Sequence, residues 1–277
     1  MNIRAYTEMS ISAVLYGLTF PLTAILLRTM GPLYLSAMRS LWSFIFFAVY
    51  FLLRGYPKKP HYRLLVGITV FGATLPLILQ NFGMLYTTAS LASIIQSTPP
   101  VFVVILAFFL LRERLTASKI AGTVIGIIGT IVVMFQGIEG SLYGNAILAC
   151  SAVSLAILAI LEKVTLSKHT PVEILGVTSL MAFPVLLLAA LPLEPAPAMD
   201  AGSLLLTVAL SLGCTVLPYF FWLDGLKDLE VSRAIVFSYG IPAFGIVFSM
   251  LMLHETITMR TIAGMLMIFI SVWVAQR

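Results

Sequence analysis

The chain has 277 residues, of which 60% are hydrophobic and only 10% are charged, and its formal net charge is +5. An ordinary globular domain carries about a quarter charged residues, so this composition excludes a cytosolic enzyme, a secreted disulfide scaffold and a nucleic-acid-binding domain. The solvent that such a chain faces must be the lipid bilayer.

Apolar stretches of about twenty residues, the length needed to cross a bilayer, recur along the whole chain. The first continues past Pro21 toward Leu27, which is too long for the apolar part of a signal peptide, so we interpret it as an uncleaved first helix. The connections are short and leave no room for a separate soluble domain. The ten predicted spans lie near 9–28, 33–53, 64–86, 88–111, 118–136, 141–161, 172–192, 203–223, 231–253 and 258–275.

Positive charge is distributed unequally between the two sides of this predicted bundle. With the N-terminus in the cytoplasm, thirteen of the sixteen Lys and Arg residues fall on the cytoplasmic side, two fall outside, and Arg39 lies within a span. Because loops rich in Lys and Arg stay in the cytoplasm, we expect a multi-pass protein with both termini inside. The basic character is a topology signal and requires no nucleic-acid partner.

Residues 74–122 and 216–264 align without a gap, which indicates an internal repeat. The alignment places Pro76 on Pro218, Pro100 on Pro242 and Glu113 on Glu255. Each half holds five spans, an odd number, so the second copy enters the membrane from the opposite side. We therefore predict an all-α protein of ten transmembrane helices in two inverted repeats, a design that permits alternating access to a midplane cavity. The alternative is a duplicated structural bundle with no path through it.

Both halves carry an Ala- and Ser-rich helix with a central proline and a terminal glutamate. The segments are Ala92 to Pro100 followed by Glu113, and Ala234 to Pro242 followed by Glu255. In these features the chain resembles two EamA-type domains of the drug/metabolite transporter superfamily, the first over 1–138 and the second over 139–277. The resemblance implies a permease of a prokaryotic plasma membrane that exports amino acids, nucleobases or other small metabolites.

Prolines in spans four and nine place helix breaks near the bilayer midplane, because proline cannot donate to the carbonyl four residues before it. The helix-breaking residues are Pro99, Pro100 and Pro242. They release the carbonyls of Ile95, Gln96 and Ser238, which would suit a donor-rich substrate group such as an ammonium. In the alternative, neighbouring Ser or Thr hydroxyls repair the kink.

Polar and aromatic residues around this layer are candidate substrate ligands, since uncompensated polar groups are costly in a lipid-facing position. They are Tyr16, Gln80, Asn81, Gln96, Ser97, Ser238 and Tyr239. Hydrogen bonding between helices is the alternative for each of them. Arg39 is a further candidate: it either snorkels to the outer interface or faces the cavity, where it could bind a substrate carboxylate. Gly83 and Gly225 are candidate hinges, and Trp222 is assigned to the interfacial aromatic belt.

Proton coupling normally needs a titratable group at membrane depth. Glu8, Glu162, Glu173 and Asp224 all fall at the inner ends of predicted spans, so we expect uncoupled, facilitated movement. Coupling through Glu8 or Asp224 stays open. Glu113 and Glu255 are expected to pair with bases or to cap helices.

The sequence carries no sign of a cofactor or metal. Cys150 and Cys214 lie inside apolar runs and are expected to be buried, with no disulfide or metal pair between them. The sequence also lacks the motifs of membrane metalloproteases, serine hydrolases and phosphate-binding loops, so an enzyme is not expected. The predicted function is secondary export of a small polar or amphipathic solute, such as an amino acid, by a monomer or homodimer. A channel or a scaffold is the competing hypothesis.

Overall fold

The computed structural model describes residues 3–57, 60–103, 106, 117–134, 141–228 and 240–275. Within these ranges the chain forms helices and short loops, with no strand. The helices, numbered in chain order with π-helical portions included, are α1 (Ile3–Leu26), α2 (Pro32–Arg54), α3 (Tyr62–Met84), α4 (Ala89–Ile95), α5 (Ala117–Met134), α6 (Leu142–Leu166), α7 (Pro171–Leu193), α8 (Ala201–Asp228), α9 (Gly240–Leu253) and α10 (Met259–Ala275).

Six of the described helices are long and apolar enough to cross a membrane: α1, α2, α3, α6, α7 and α8. Large apolar side chains point outward from several of them, and Leu52 and Leu188 are 85% and 70% exposed. Such residues are stable in lipid and would be unfavourable in water. The predicted class, an all-α membrane protein, is confirmed at this level.

Contacts at the helix termini define two ends of the bundle. At the end where α1 begins, called here the amino-terminal end, Arg4 bonds Asp224 at 2.8 Å, near the end of α8. At the opposite or far end, the Ser141 amide donates to the Tyr86 carbonyl at 2.8 Å, which joins the start of α6 to the end of α3. Successive long helices therefore run between the ends in alternating directions.

Two glutamates at the far end cap helices from elsewhere in the chain. The Glu255 carboxylate accepts the Ala89 and Ser90 amides at 2.8 and 2.9 Å and the Ser90 hydroxyl at 2.5 Å, at the start of α4. Glu194 accepts the Leu33 and Tyr34 amides at the start of α2. A carboxylate satisfies the unpaired amides of a helix start and is favoured by the helix dipole. Glu255 thus has a capping role, and its repeat partner Glu113 lies outside the described residues.

The helices α3 and α8 each contain a π-helical segment that the sequence did not predict. These segments are Thr69–Thr74 and Ala209–Val216, and a Leu-Pro pair follows each one directly, with Pro76 and Pro218. Proline cannot close the usual bond to the carbonyl four residues back. In α8 the carbonyl left open in this way, that of Cys214, accepts the Thr19 hydroxyl of α1 at 3.1 Å.

The two cysteines are both free. Cys214 is buried, as expected, but the prediction for Cys150 is wrong because its side chain is exposed. It lies on the outer surface of α6, where the bilayer covers an apolar thiol as well as a protein core would.

Candidate functional site

A cavity of about 250 Å³ lies between α1, α2, α3, α6, α7, α8, α9 and the segment 96–103 that follows α4. Most of its wall is apolar, with side chains such as Leu77, Leu158 and Val216. Ligand pockets for drug-sized molecules measure about 300–1,000 Å³, so this space suits a smaller solute. The charged or ionisable side chains among its described lining residues are those of Arg39, Glu162, Tyr16 and Tyr219.

Arg39 faces this cavity and does not snorkel to the surface. It lies seven residues after the start of α2, about 10 Å from the far end at 1.5 Å per residue, and it is 4% exposed. Its Nε atom donates to the Thr215 hydroxyl at 2.6 Å, whereas Nη1 has no hydrogen-bond partner in the described part of the chain. A buried guanidinium with a free donor fits a carboxylate.

The π-helical segment of α8 positions Arg39. Thr215 donates its own hydroxyl proton to the Leu210 carbonyl, five residues earlier, at 2.9 Å. Its oxygen then accepts from Arg39, so one hydroxyl joins α2 to the irregular part of α8. π-Helical turns are frequent at functional sites because they expose backbone and re-aim side chains.

Gln96 presents an acceptor to the same cavity. Its Nε2 atom donates to Ser151 at 2.7 Å, and Ser151 donates in turn to the Pro76 carbonyl at 3.0 Å. This chain fixes the amide, and its Oε1 atom is left without a partner among the described residues. Gln80 also lines the cavity, and its Nε2 atom makes a long contact of 3.9 Å to the Met84 sulfur.

The helix break that follows α4 includes Gln96. Regular α-helix ends at Ile95, and helix resumes over 99–103, starting at Pro99 and Pro100, which both line the cavity. The prediction that the Ile95 carbonyl is open to substrate is wrong: it accepts both the amide and the hydroxyl of Thr98, at 3.1 and 2.7 Å. Ser97 lines the cavity but donates to the Ile94 carbonyl at 2.7 Å. The Ile95 carbonyl is therefore satisfied within the kink, whereas the open carbonyls predicted for Gln96 and Ser238 stay predictions.

The amino-terminal side of the cavity holds a carboxylate that the sequence analysis placed elsewhere. Glu162 is 3% exposed and lines the cavity beside Tyr219 and Trp222. Glu162 lies four residues before the end of α6, so it is near the predicted helix end but faces the cavity, and Trp222 lines the cavity where the interfacial belt was predicted. The predicted spans ended at 161 and 223, but α6 and α8 continue to Leu166 and Asp228.

Two tyrosines, Tyr16 and Tyr219, line the cavity near its charged residues. Tyr16, on α1, lies within electrostatic range of both Arg39 and Glu162. The Tyr219 hydroxyl is buried beside the Glu162 carboxylate. Both phenols line the cavity, so they could donate to a solute there.

Asn81, a predicted substrate ligand, lies away from the cavity and is fully buried. Its Nδ2 atom donates to the Pro32 carbonyl at 3.2 Å and to the Ser36 hydroxyl at 2.8 Å. The amide thus joins α3 to α2, which is the alternative role considered for every polar residue of this layer.

The two candidate hinge glycines lie at close helix contacts. A Cβ atom on Gly83 would come within 2.7 Å of a Leu148 side-chain carbon and 3.0 Å of the Gly144 carbonyl oxygen, where α3 meets α6. A Cβ atom on Gly225 would meet the Met9 side chain at 3.1 Å. Close approach of two helices explains both glycines in this structure, and their hinge role stays a prediction.

The remaining predicted site residues fall near α9. Pro242 is buried as the third described residue of this helix. Ser238 and Tyr239 lie outside the described residues.

Glu8 and Asp224, the two acids considered for proton coupling, form ion pairs with basic residues at the amino-terminal end of the bundle. Glu8 pairs with Arg4 at 2.7 Å. Asp224 pairs with Arg4 and with Lys227, each at 2.8 Å. In contrast, the ion pairs of the described residues do not include Glu162.

Comparisons with known proteins agree on the type of molecule. The EamA-like transporter family matches residues 4–135 and again residues 142–276. An uncharacterized transporter of Archaeoglobus fulgidus is 27% identical over 282 residues, covering 99% of both chains. A probable amino-acid metabolite efflux pump of Salmonella typhimurium is 30% identical over 280 residues, covering 94% of this chain and 91% of the pump. A crystal structure at 18% identity has the same fold, with a TM-score of 0.71 over 96% of this chain and 94% of the other.

Proposed function

The chain belongs to the EamA-like transporter family of the drug/metabolite transporter type, and on that premise we propose that it exports small amphipathic metabolites, amino acids foremost, through the Arg39 cavity. The observation that carries the proposal is a buried arginine without an ion pair among the described residues, held by Thr215 toward a cavity at membrane depth. Intramembrane ionisable residues mark substrate pathways, and this one fits a solute carboxylate.

In the proposed architecture, ten transmembrane helices form two inverted repeats over 1–138 and 139–277. The two matches to the family support this division. So do the π-helical segments, which precede Pro76 and Pro218 at equivalent positions of the two halves. Inverted repeats provide two near-equivalent packings of one chain, and exchange between them would open the cavity to one side and then to the other.

The proposed orientation puts both termini in the cytoplasm of the plasma membrane, since Lys and Arg are concentrated on that side. The far end of the bundle is then extracellular. There, the Glu255 and Glu194 caps hold α4 and α2 to loops from the second half of the chain. Opening toward the outside requires at least the α4 contact to loosen.

The proposed binding mode uses complementary polar groups on an apolar wall. A substrate carboxylate binds the free donors of Arg39, and its amino group donates to acceptors such as the Gln96 Oε1 atom. The apolar side chains around them accept the rest of the solute. The Salmonella relative is named for amino-acid metabolites, which supports this substrate class for the present chain.

The test is saturable transport by purified protein in liposomes. A panel of radiolabelled amino acids and nucleobases is offered to the wild-type chain and to empty liposomes. We expect saturable uptake of at least one aliphatic amino acid, leucine being the probe that suits an apolar cavity, with competition by its analogues. Flux without saturation would favour a channel, and absence of flux for every solute would favour a structural bundle.

A further inference from the structure

The helix pair α6 and α3 repeats a contact of the helix pair α1 and α8. The Ser12 hydroxyl of α1 donates to the Pro218 carbonyl of α8 at 2.8 Å, and the Ser151 hydroxyl of α6 donates to the Pro76 carbonyl of α3 at 3.0 Å. The two prolines follow the two π-helical segments at equivalent positions. One serine thus sets the level of each helix pair, and residues at equal distances from these contacts can be compared directly.

The two helix pairs differ in chemistry where they border the cavity. Seven residues after the serines stand Thr19 on α1 and Leu158 on α6, and four residues before the prolines stand Cys214 on α8 and Gly72 on α3. Thr19 donates its hydroxyl proton to the Cys214 carbonyl at 3.1 Å. Leu158 instead lies on Gly72, where an added Cβ atom would come within 2.7 and 3.0 Å of the two leucine methyl carbons. Equivalent contacts are therefore polar in one pair and apolar in the other.

Neighbouring residues of the cavity wall extend this difference. On α8, Thr215 bonds the Nε atom of Arg39 at 2.6 Å, whereas Ala73, the next residue after the α3 glycine, lines the cavity without a polar group. Three residues before the α1 threonine and the α6 leucine, Tyr16 and Leu155 line the same cavity. A solute with a charged head and an apolar side chain fits this wall, because its head is favoured beside α8 and its side chain beside α3 and α6.

The position of Leu158 is fixed on every side except that of the cavity. The residue is 9% exposed and belongs to a buried cluster that includes Leu65, Ile68 and Leu175. Gly72 brings the α3 backbone against its methyl groups from another side. Because protein interiors are close-packed, a displaced Leu158 side chain would move into the cavity. Its methyl groups therefore set how far the apolar part of the cavity extends.

Resting on the proposed transport function, we propose that Leu158, lying on Gly72, is the specificity-determining residue that limits the size of the solute side chain. A branched aliphatic side chain ends against the Leu158 methyl groups, and an aromatic ring is too large for the same space. One methylene more or less in an apolar pocket changes discrimination by roughly 10–200-fold. This one contact therefore separates leucine from phenylalanine.

The experiment measures competition by unlabelled amino acids against radiolabelled leucine in liposomes. The competitors are alanine, leucine and phenylalanine, which share the charged groups and differ only in the side chain. Leu158→Ala removes three carbon atoms from the wall, so the affinity for phenylalanine relative to leucine should rise roughly tenfold or more. Gly72→Ala should act in the opposite direction. Its added methyl group displaces the Leu158 methyl groups toward the cavity, so leucine should weaken relative to alanine.

The matched control is Leu148→Ala. Leu148 lies on Gly83 between the same two helices, and an added Cβ atom at position 83 would come within 2.7 Å of its Cγ atom. Leu148 is not among the described residues that line the cavity. The control should lower thermal stability and leave every competition ratio unchanged. Leu158→Ala combined with Gly72→Ala should bring the phenylalanine ratio back toward the wild-type value, since the new methyl group refills part of the space.

Leu158→Val, which removes one carbon atom, keeps the test decisive if the alanine variant does not fold. Its phenylalanine ratio should rise by a smaller factor in the same direction. Unchanged ratios in the folded variants of Leu158 and Gly72 would overturn the size limit and leave transport standing. A wild-type chain that prefers phenylalanine to leucine would do the same. Absence of saturable uptake of any amino acid by the wild-type chain would instead count against the proposed function and the size limit together.

Discussion

The Nε atom of Arg39 lies 2.6 Å from the hydroxyl oxygen of Thr215, and this bond joins a regular helix, α2, to the π-helical segment of α8. The bond fixes the direction of the guanidinium while Nη1 keeps a donor without a protein partner in the described chain. In the proposed binding mode, this bond orients the guanidinium for a carboxylate before the solute arrives.

Substitution of Arg39 should weaken carboxylate binding. Arg39→Gln is expected to raise the KM for leucine by roughly tenfold to a hundredfold, since a hydrogen bond to a charged group contributes about 1.5–3 kcal/mol. Arg39→Lys should restore only part of the affinity, because lysine lacks the planar fork. Arg28→Gln, on an exposed turn, is the control and should leave the KM for leucine unchanged. An unaltered KM for leucine in Arg39→Gln would remove the carboxylate site.

Gln96 and Asn81 were predicted to act alike, and the structure separates them. Gln96→Leu should raise the KM for leucine, and the lost bond to Ser151 should lower stability by about 1 kcal/mol. Asn81→Leu should lower the stability of the detergent-solubilised protein by about 1 kcal/mol without changing KM, because it breaks the contact between α3 and α2. A raised KM in Asn81→Leu together with an unchanged KM in Gln96→Leu would show that Asn81, and not Gln96, contacts the solute.

The Glu255 carboxylate should stabilise the first turn of α4, whose amides it caps. Loss of a capping side chain costs about 0.5–2 kcal/mol, so Glu255→Ala should accelerate hydrogen–deuterium exchange of amides 89–95 by roughly twofold to thirtyfold. Glu173→Ala removes the capping box at the start of α7 and serves as the control. It should leave exchange in 89–95 unaltered, and equal protection in both variants would exclude a closing role for Glu255.

The repeat makes a separate prediction about topology. Glu113→Cys and Glu255→Cys, each in a chain with Cys150→Ala and Cys214→Ala, should react with an impermeant thiol reagent from opposite faces of the membrane. Position 113 is expected inside and position 255 outside. Labelling of both from the same face would contradict the inverted arrangement.

Much of the fold could be predicted because lipid permits few backbone solutions. Hydropathy located the helices, and six of them have the length and composition to cross a membrane. The π-helical segments could not be predicted from periodicity, since their residues are as apolar as the turns around them. Pro76 and Pro218 were the available signal.

The candidate site was predicted in part, and its main omission has a physical reason. Apolar content ended the sixth predicted span at 161, so Glu162 fell just outside, although α6 continues to Leu166. A helix tolerates one carboxylate near its end when that group faces a cavity. The spacing of Leu155, Leu158 and Glu162 on one helical face was a signal that could have found it. For Arg39 the depth in the membrane was predictable from the sequence, but the direction of its side chain was not. The structure shows that the side chain faces the cavity, where it bonds Thr215.

The central claim is that one cavity opens alternately to the two faces of the membrane, and accessibility of a single position tests it most directly. Ala73 lines the cavity midway along α3, so Ala73→Cys, with Cys150→Ala and Cys214→Ala, places a thiol at the midplane. An impermeant, charged methanethiosulfonate is applied to intact liposomes or enclosed within them, after reconstitution in one orientation. We predict that the thiol reacts from both sides and that leucine slows both reactions. Reaction from one side only, with leucine present or absent, would contradict the account.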